Sequence, residues 1–265
     1  MQRLATGTIL GLAWLLLLLK GSVLAFSLVL LVVAAVLLHE FCSMALSDFP
    51  DYDRAAVTIL GLLPIAGAYL GSLAAINGAA LLAFLLLFLH IFSIYHQRPE
   101  ATRLLFRGSF AIVYLGTFSA HALLIRRLDG GAAWLLFLTA VVIASDSGAF
   151  YGGTYFGRHK LCPSISPGKT VEGLFCGVLA AALAGALSSR FLHLGLALPV
   201  TLLLSALLAL TGIVGDLIES IIKRTSGVKD SGTLLPGHGG LFDRLDSMLL
   251  CVPVLSSILT SGLLP

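Results

Sequence analysis

Uninterrupted apolar runs close to twenty residues long recur along the whole chain, and no other feature narrows its fold as much. As a helix, such a run is long enough to cross a hydrocarbon layer of roughly 30 Å. A transmembrane barrel would instead show alternating polar and apolar residues in segments of about ten. Stretches such as AALLAFLLLFLHIFSIY (79–95) do not alternate. The chain has 265 residues, of which 58% are hydrophobic and only 11% charged, so too little polar surface exists to cover a soluble core. The fold class is therefore all-α, a polytopic integral membrane protein.

The pattern predicts nine spans, near 5–19, 22–39, 55–75, 77–95, 107–125, 132–152, 173–190, 198–222 and 245–263. The first run is read as a retained helix. No convincing small-residue cleavage site follows it, and the second span begins almost at once. Residues 1–265 are read as a single membrane domain, with N-terminal spans in 1–130 and the polar motifs among the spans of 131–265. No repeat of fixed period is evident. Nine spans place Arg3, Arg54, Arg98, Arg103, Arg107, Arg158, Lys160, Lys169, Lys223, Arg224, Lys229 and Arg244 on one side, twelve of the sixteen lysines and arginines. The positive-inside rule puts that side, and the N-terminus, in the cytoplasm. The four cysteines, Cys42, Cys162, Cys176 and Cys251, have neither metal-ligand nor disulfide spacing.

Ionisable residues inside spans are costly, so each one asks for a function. TGIVGDLIESIIKR (211–224) closes the eighth span. Asp216, Glu219 and Lys223 recur there at i, i+3 and i+7, with Ser220 beside them, which puts all four on one helical face. Two readings stay open for Glu219: a simple i+4 pair with Lys223, or a share in a cation site. FDRLDSM (242–248) opens the ninth span with Asp243 and Asp246 at i, i+3. One acid at a helix start fits the macrodipole. Two there, with two more on the preceding span, read as oxygen ligands for a hard divalent cation, and magnesium favours few carboxylates plus phosphate and water. PGHGG (236–240) lies between the acidic pairs, and its glycines allow close backbone approach to an anion. His238 within it is either a neutral hydrogen-bonding residue or a group that binds phosphate or transfers a proton. His39, His90, His96, His121, His159 and His193 show no metal spacing and are read as interfacial or packing residues.

Asp146 is the single acid of the sixth span, in ASDSGAFYGGTYFGRHK (144–160), and SPGKTVEG (166–173) then carries Lys169 and Glu172. Gly-Lys-Thr is no P-loop. The required spacing would put glycine at 163, where Pro163 stands, and no strand is expected ahead of it. A lysine in a polar loop still suits a phosphate.

Residues 220–246 read S-x-x-K-R-x4-K-D-x-G-x2-L-P-x-H-G-G-x2-D-R-x-D. This resembles the signature of the phosphatidate cytidylyltransferases, also called CDP-diacylglycerol synthases. SDSGAFYGGTYFGRHKLCPSISPGKTVEG (145–173) resembles the family's second block, while the first hundred residues match only as a series of spans. The resemblance implies an all-helical membrane enzyme of the bacterial inner (cytoplasmic) membrane, with its site facing the cytoplasm. It implies transfer of a cytidylyl group from CTP to phosphatidic acid, with Mg2+ and room for a second cation. It implies a homodimer in the lipid bilayer and no nucleic-acid partner. On this likeness Asp216 and Asp243 lead as metal ligands, followed by Asp246 and Glu219. Lys223 and His238 join Asp216 and Asp243 as candidate catalytic residues. Lys169, Glu172, Ser220, Arg224, Lys229, Asp230, Gly239, Gly240, Arg244 and Asp146 are the candidate substrate-binding residues.

That chemistry agrees with the residues. Metal and basic side chains neutralise phosphates that must approach each other, and the lipid phosphate is already a nucleophile. A CTP-using lipid kinase is the near alternative. A transporter is the distant one, disfavoured because the acids gather toward helix ends and no inverted repeat is evident.

Overall fold

The computed structural model describes residues 2–96, 98, 100–234 and 239–263, with side chains from Gly7 onward. The helices are α1 (Gln2–Lys20), α2 (Val23–Ala45), α3 (Asp51–Ala68), α4 (Leu73–Ile94), α5 (Ala101–Phe110), α6 (Phe118–Arg127), α7 (Gly131–Phe156), α8 (Val171–Phe191), α9 (Leu198–Thr225) and α10 (Phe242–Thr260). A π-helical segment, Ala111–Thr117, joins α5 to α6 in one continuous rod. Six of the described helices are long and apolar enough to cross a membrane: 23–45, 73–94, 101–127, 131–156, 171–191 and 198–225. The chain is thus an all-α polytopic membrane protein, as its composition required.

Helix boundaries depart from the expected spans for identifiable reasons. The turn between the third and fourth spans falls at Gly71 rather than near residue 76, because Gly71 takes φ +76° and Ser72 then accepts a hydrogen bond from Ala75 N to cap α4. α2 runs on to Ala45, past the polar pair His39–Glu40 where the apolar run stops. A strand pair also lies between α7 and α8, where none was expected. β1 (Lys160–Cys162) and β2 (Ser166–Thr170) form a small antiparallel hairpin, pairing Lys160 with Thr170 and Cys162 with Ser166. Gly168, Lys169 and Thr170 therefore sit on a strand, although the P-loop spacing is still broken by Pro163.

The molecule divides into two compact units: Met1–Arg127 with Ser226–Arg244, and Leu128–Thr225 with Leu245–Pro265. In the first, α3 packs against α2, α4 and the π-helical segment, where Gly116 meets the Gly61 backbone so closely that a side chain at 116 has no room. Arg126 donates to Gly21 O at 2.8 Å and Arg127 to Tyr69 O at 2.7 Å, tying the end of α6 to the turns after α1 and α3.

In the second unit α7 and α8 pack along glycines. Gly148 and Gly152 on α7 meet Gly173 and Gly177 on α8, both pairs at i, i+4. A Cβ at Gly148 would stand 2.6 Å from Ala180 Cβ, and one at Gly173 would stand 2.7 Å from Ala149 O. Small residues at this spacing are how helices approach closely in lipid, where apolar burial between helices offers little. The far face of α8 carries Phe175, Leu179, Leu183 and Leu187 at four-residue spacing, all exposed, as a lipid-facing stripe requires.

Candidate active site

Within the second unit, three carboxylates converge. Each of Asp216, Glu219 and Asp246 offers an oxygen, and these oxygens lie within 4.8 Å of one another. Helical periodicity supplies the first two. The third arrives because α9 is bare at Gly215, where α10 passes close: a Cβ there would stand 2.5 Å from Asp246 O. Cys251 adds a thiol hydrogen bond to Leu208 O at 3.2 Å, which holds the same pair of helices together deeper in.

Two lysines answer the acids. Lys169 Nζ lies 2.5 Å from Asp216 Oδ2, and Lys223 Nζ lies 2.7 Å from Glu219 Oε2, the i+4 pair that the spacing allowed. Glu219 is 1% exposed, so this pair stands in low dielectric, where losing one partner is far more costly than on a surface. Lys169 is delivered by the hairpin. Thr170, next along the strand, caps α8 by accepting from Gly173 N at 3.1 Å. Ser220 Oγ donates to Asp216 Oδ1 at 3.5 Å. Ser247 Oγ donates to Asp146 Oδ1 at 3.4 Å, and Asp146 itself is exposed. Four acids, Asp146, Asp216, Glu219 and Asp246, thus share a neighbourhood with two lysines. The acids therefore outnumber the lysines by two. Among the described residues the three converging donors are hard carboxylate oxygens, which suit a magnesium-sized cation.

Glu172, expected near substrate, is occupied by its own turn. Its Oε2 accepts from Arg158 N at 3.0 Å and His159 N at 3.2 Å, and its Oε1 lies 2.6 Å from His159 Nδ1. His159, read from the sequence as an interfacial or packing residue, makes this carboxylate contact from an exposed position. His90 likewise has a specific role in the first unit: its Nε2 lies 2.7 Å from Asp53 Oδ1, and Arg98 donates to Asp53 Oδ2 at 2.7 Å, on an aspartate that is fully buried.

Asp243 belongs to the first unit, and there its Oδ2 accepts from Ser231 N at 2.9 Å, Ser231 Oγ at 3.0 Å and Gly240 N at 2.9 Å. A second carboxylate, which sequence reasoning missed, lies beside it. Glu40 of α2, 6% exposed, accepts from Leu241 N at 2.9 Å through Oε1, from Phe242 N at 2.8 Å through Oε2, and from Ser231 Oγ at 3.1 Å. Phe242 opens α10, so Glu40 receives donors that a helix start leaves unmatched. The glycines of this loop follow from the two carboxylates. A Cβ on Gly232 would stand 2.9 Å from Glu40 Oε1, one on Gly240 would stand 2.6 Å from Glu40 Oε2, and one on Gly239, at φ +79°, would stand 2.8 Å from Asp243 Oδ2. Arg224, Lys229, Asp230 and Arg244 are exposed. His238 lies outside the described residues.

The second unit thus brings four acids and two lysines together among its helices and hairpin. In comparison with known sequences, residues 1–261 match the profile of the cytidylyltransferase family, and the chain belongs to that family. It is 31% identical over 262 residues to a protein of Bacillus subtilis named phosphatidate cytidylyltransferase, covering 97% of each chain. Proteins of the same name from Staphylococcus epidermidis and Helicobacter pylori are 43% identical over 129 residues and 48% identical over 127. Those two alignments cover 49% and 46% of this chain and about half the length of each relative, at 50% and 45%.

Proposed function

We propose that the chain transfers a cytidylyl group from CTP to phosphatidic acid, making CDP-diacylglycerol and pyrophosphate. The observation that carries this reading is the convergence of Asp216, Glu219 and Asp246 with Lys169 and Lys223 in a member of the cytidylyltransferase family. Asp216, Glu219 and Asp246 would hold magnesium, which supplies charge neutralisation and alignment of phosphates. Asp243 is the weaker candidate for that task, because three protein donors already occupy its Oδ2. Lys169 and Lys223 exchange their carboxylate partners for phosphate oxygens when substrate arrives. Arg224, Lys229 and Arg244 supply further positive charge, and Ser220 and Asp146 complete the polar lining.

An oxygen of the lipid phosphate attacks the α-phosphorus of CTP. The bond from that phosphorus to the bridging oxygen breaks, and pyrophosphate leaves with the electron pair. No activated serine or cysteine is needed, and a single in-line step inverts the α-phosphorus. The lipid tails stay in the bilayer, since each buried CH2 is worth about 0.8 kcal/mol, while CTP stays in water. The reaction therefore belongs at the interface. The bias of basic residues supports a site on the cytoplasmic side, and the proposal takes the bacterial inner membrane, nine spans, a cytoplasmic N-terminus and a homodimer as its arrangement.

Purified protein in detergent, given phosphatidic acid, CTP and magnesium, is expected to release pyrophosphate and move cytosine-ring label into the lipid phase. Phosphate transfer without cytosine label in lipid would identify a kinase and overturn the reading.

A further inference from the structure

We infer that Glu40 is a positioning residue for this reaction: from α2 it fixes the start of α10 and the loop that presents Lys229, Asp230 and Arg244. The inference rests on the cytidylyltransferase reading for its consequence, and on geometry alone for its mechanism. Glu40 lies 191 residues before Ser231, yet its two oxygens accept from Leu241 N, Phe242 N and Ser231 Oγ. Capping of a helix start is ordinarily done by the residue just ahead of it. Here a buried side chain from a distant helix does it with both oxygens, so the cap also sets where α10 begins relative to α2.

Ser231 makes the arrangement a single unit. Its hydroxyl has one proton and stands 3.1 Å from Glu40 Oε2 and 3.0 Å from Asp243 Oδ2, so the proton is shared or alternates between two carboxylates. The same oxygen accepts from Asp243 N at 3.3 Å. The loop cannot retreat without stranding donors: Leu241 N and Phe242 N would lose Glu40, while Ser231 N and Gly240 N would lose Asp243. Gly232 and Gly240 lack side chains where the loop presses on Glu40, so the closeness is written into the loop as well as into α2. Phe242, fully buried, packs edge-on against Tyr114 at 6.4 Å between ring centroids and closes the apolar side of the latch.

Glutamine at 40 keeps the volume but turns one acceptor into a donor facing an N–H. Aspartate keeps the charge but is one methylene short. The test compares Glu40→Gln, Glu40→Asp and Ser231→Ala with the exposed Asp129→Asn as control. It reads kcat and KM for CTP per folded molecule, and hydrogen–deuterium exchange of peptides covering 226–234 and 239–244 against peptides of α8. For Glu40→Gln, kcat/KM is expected to fall roughly 10- to 100-fold, with faster exchange confined to the loop and the first turn of α10. Glu40→Asp should recover part of that loss, and Ser231→Ala should lose less than Glu40→Gln. The double variant Glu40→Gln/Ser231→Ala should lose less than the two singles combined, because one network is removed twice. Wild-type kinetics per folded molecule in Glu40→Gln would overturn the inference. So would exchange that rises equally in α8, since that marks a residue serving only overall stability. Should Glu40→Gln not fold, Ser231→Ala, which keeps both backbone contacts to Glu40, decides by the same criteria. A wild-type protein that makes no CDP-lipid would sink the functional reading instead, and the exchange pattern then decides alone whether Glu40 holds the loop.

Discussion

Two pairs of carboxylates, each with one buried and one half-buried member, can be set side by side. Glu40 and Asp243, in the first unit, are occupied by backbone N–H groups and one serine hydroxyl. Asp216 and Glu219, in the second, are matched by lysine ammoniums. Backbone donors are fixed in place, so a carboxylate that holds them serves shape. An ammonium on a four-carbon stem can swing to another anion, so a carboxylate it holds can be released to a cation. The two acids of FDRLDSM, which look equivalent at i, i+3, part company: Asp243 lies in the first set, and Asp246, whose Oδ1 accepts from Ser247 N at 2.6 Å, stands beside the two lysine-matched acids of the second. What surrounds a carboxylate decides its work, more than its place in a motif.

The largest effects should fall on the exchangeable set. Asp216→Asn and Asp246→Asn are each expected to lower turnover by roughly 10²–10³-fold in folded, membrane-inserted protein. Chelating divalent cations should abolish wild-type activity. Pyrophosphate release measures both, and an Asp246→Asn protein of wild-type rate would break the distinction between the two sets. Asp243→Asn comes next, at about 10-fold, because asparagine still accepts but loses charge-assisted bonds. Its loss should come with faster hydrogen exchange at Ser231 and Gly240, which Asp246→Asn should not share. Equal exchange in the two variants would merge the sets.

A smaller effect is expected at Lys169. Removing one partly solvated charge from a phosphate raises the KM for CTP by about 10-fold in Lys169→Ala, with the response to phosphatidic acid less changed. An unchanged KM for CTP beside a shifted lipid response would assign Lys169 to the lipid phosphate instead.

Much of this was legible in the sequence where the causes are local. Length and hydropathy announce membrane helices, and a 3.6-residue period puts Asp216, Glu219 and Lys223 on one face. Glu40 escaped because its partners are 191 and more residues away, and nothing around LLHEFC distinguishes a capping acid from a polar residue at a span end. The Gly71 turn escaped because its neighbours are as apolar as the helices it joins. The hairpin at 160–170 is too short to show alternation. The glycines of PGHGG invited a phosphate reading, whereas Gly240 N reaches an anion that the protein itself provides.

The finest test of the exchangeable set lies in two glycines of α9, three residues apart. A Cβ at Gly212 would stand 3.4 Å from Ser247 Cβ and 3.5 Å from Cys251 Sγ, which is ordinary contact. A Cβ at Gly215 would stand 2.5 Å from Asp246 O, a backbone atom that cannot turn aside. In a helix interior alanine is favoured over glycine by about 1 kcal/mol, and in both variants that gain is the same. Gly212→Ala should therefore be neutral or slightly stabilising, with wild-type turnover. Gly215→Ala must push α10 away from α9, and the three carboxylate oxygens part with it. Its turnover is expected to fall severalfold, with a raised magnesium requirement, while helix content holds. If both alanines are tolerated alike, the close crossing at Gly215 is not what brings Asp246 to Asp216 and Glu219.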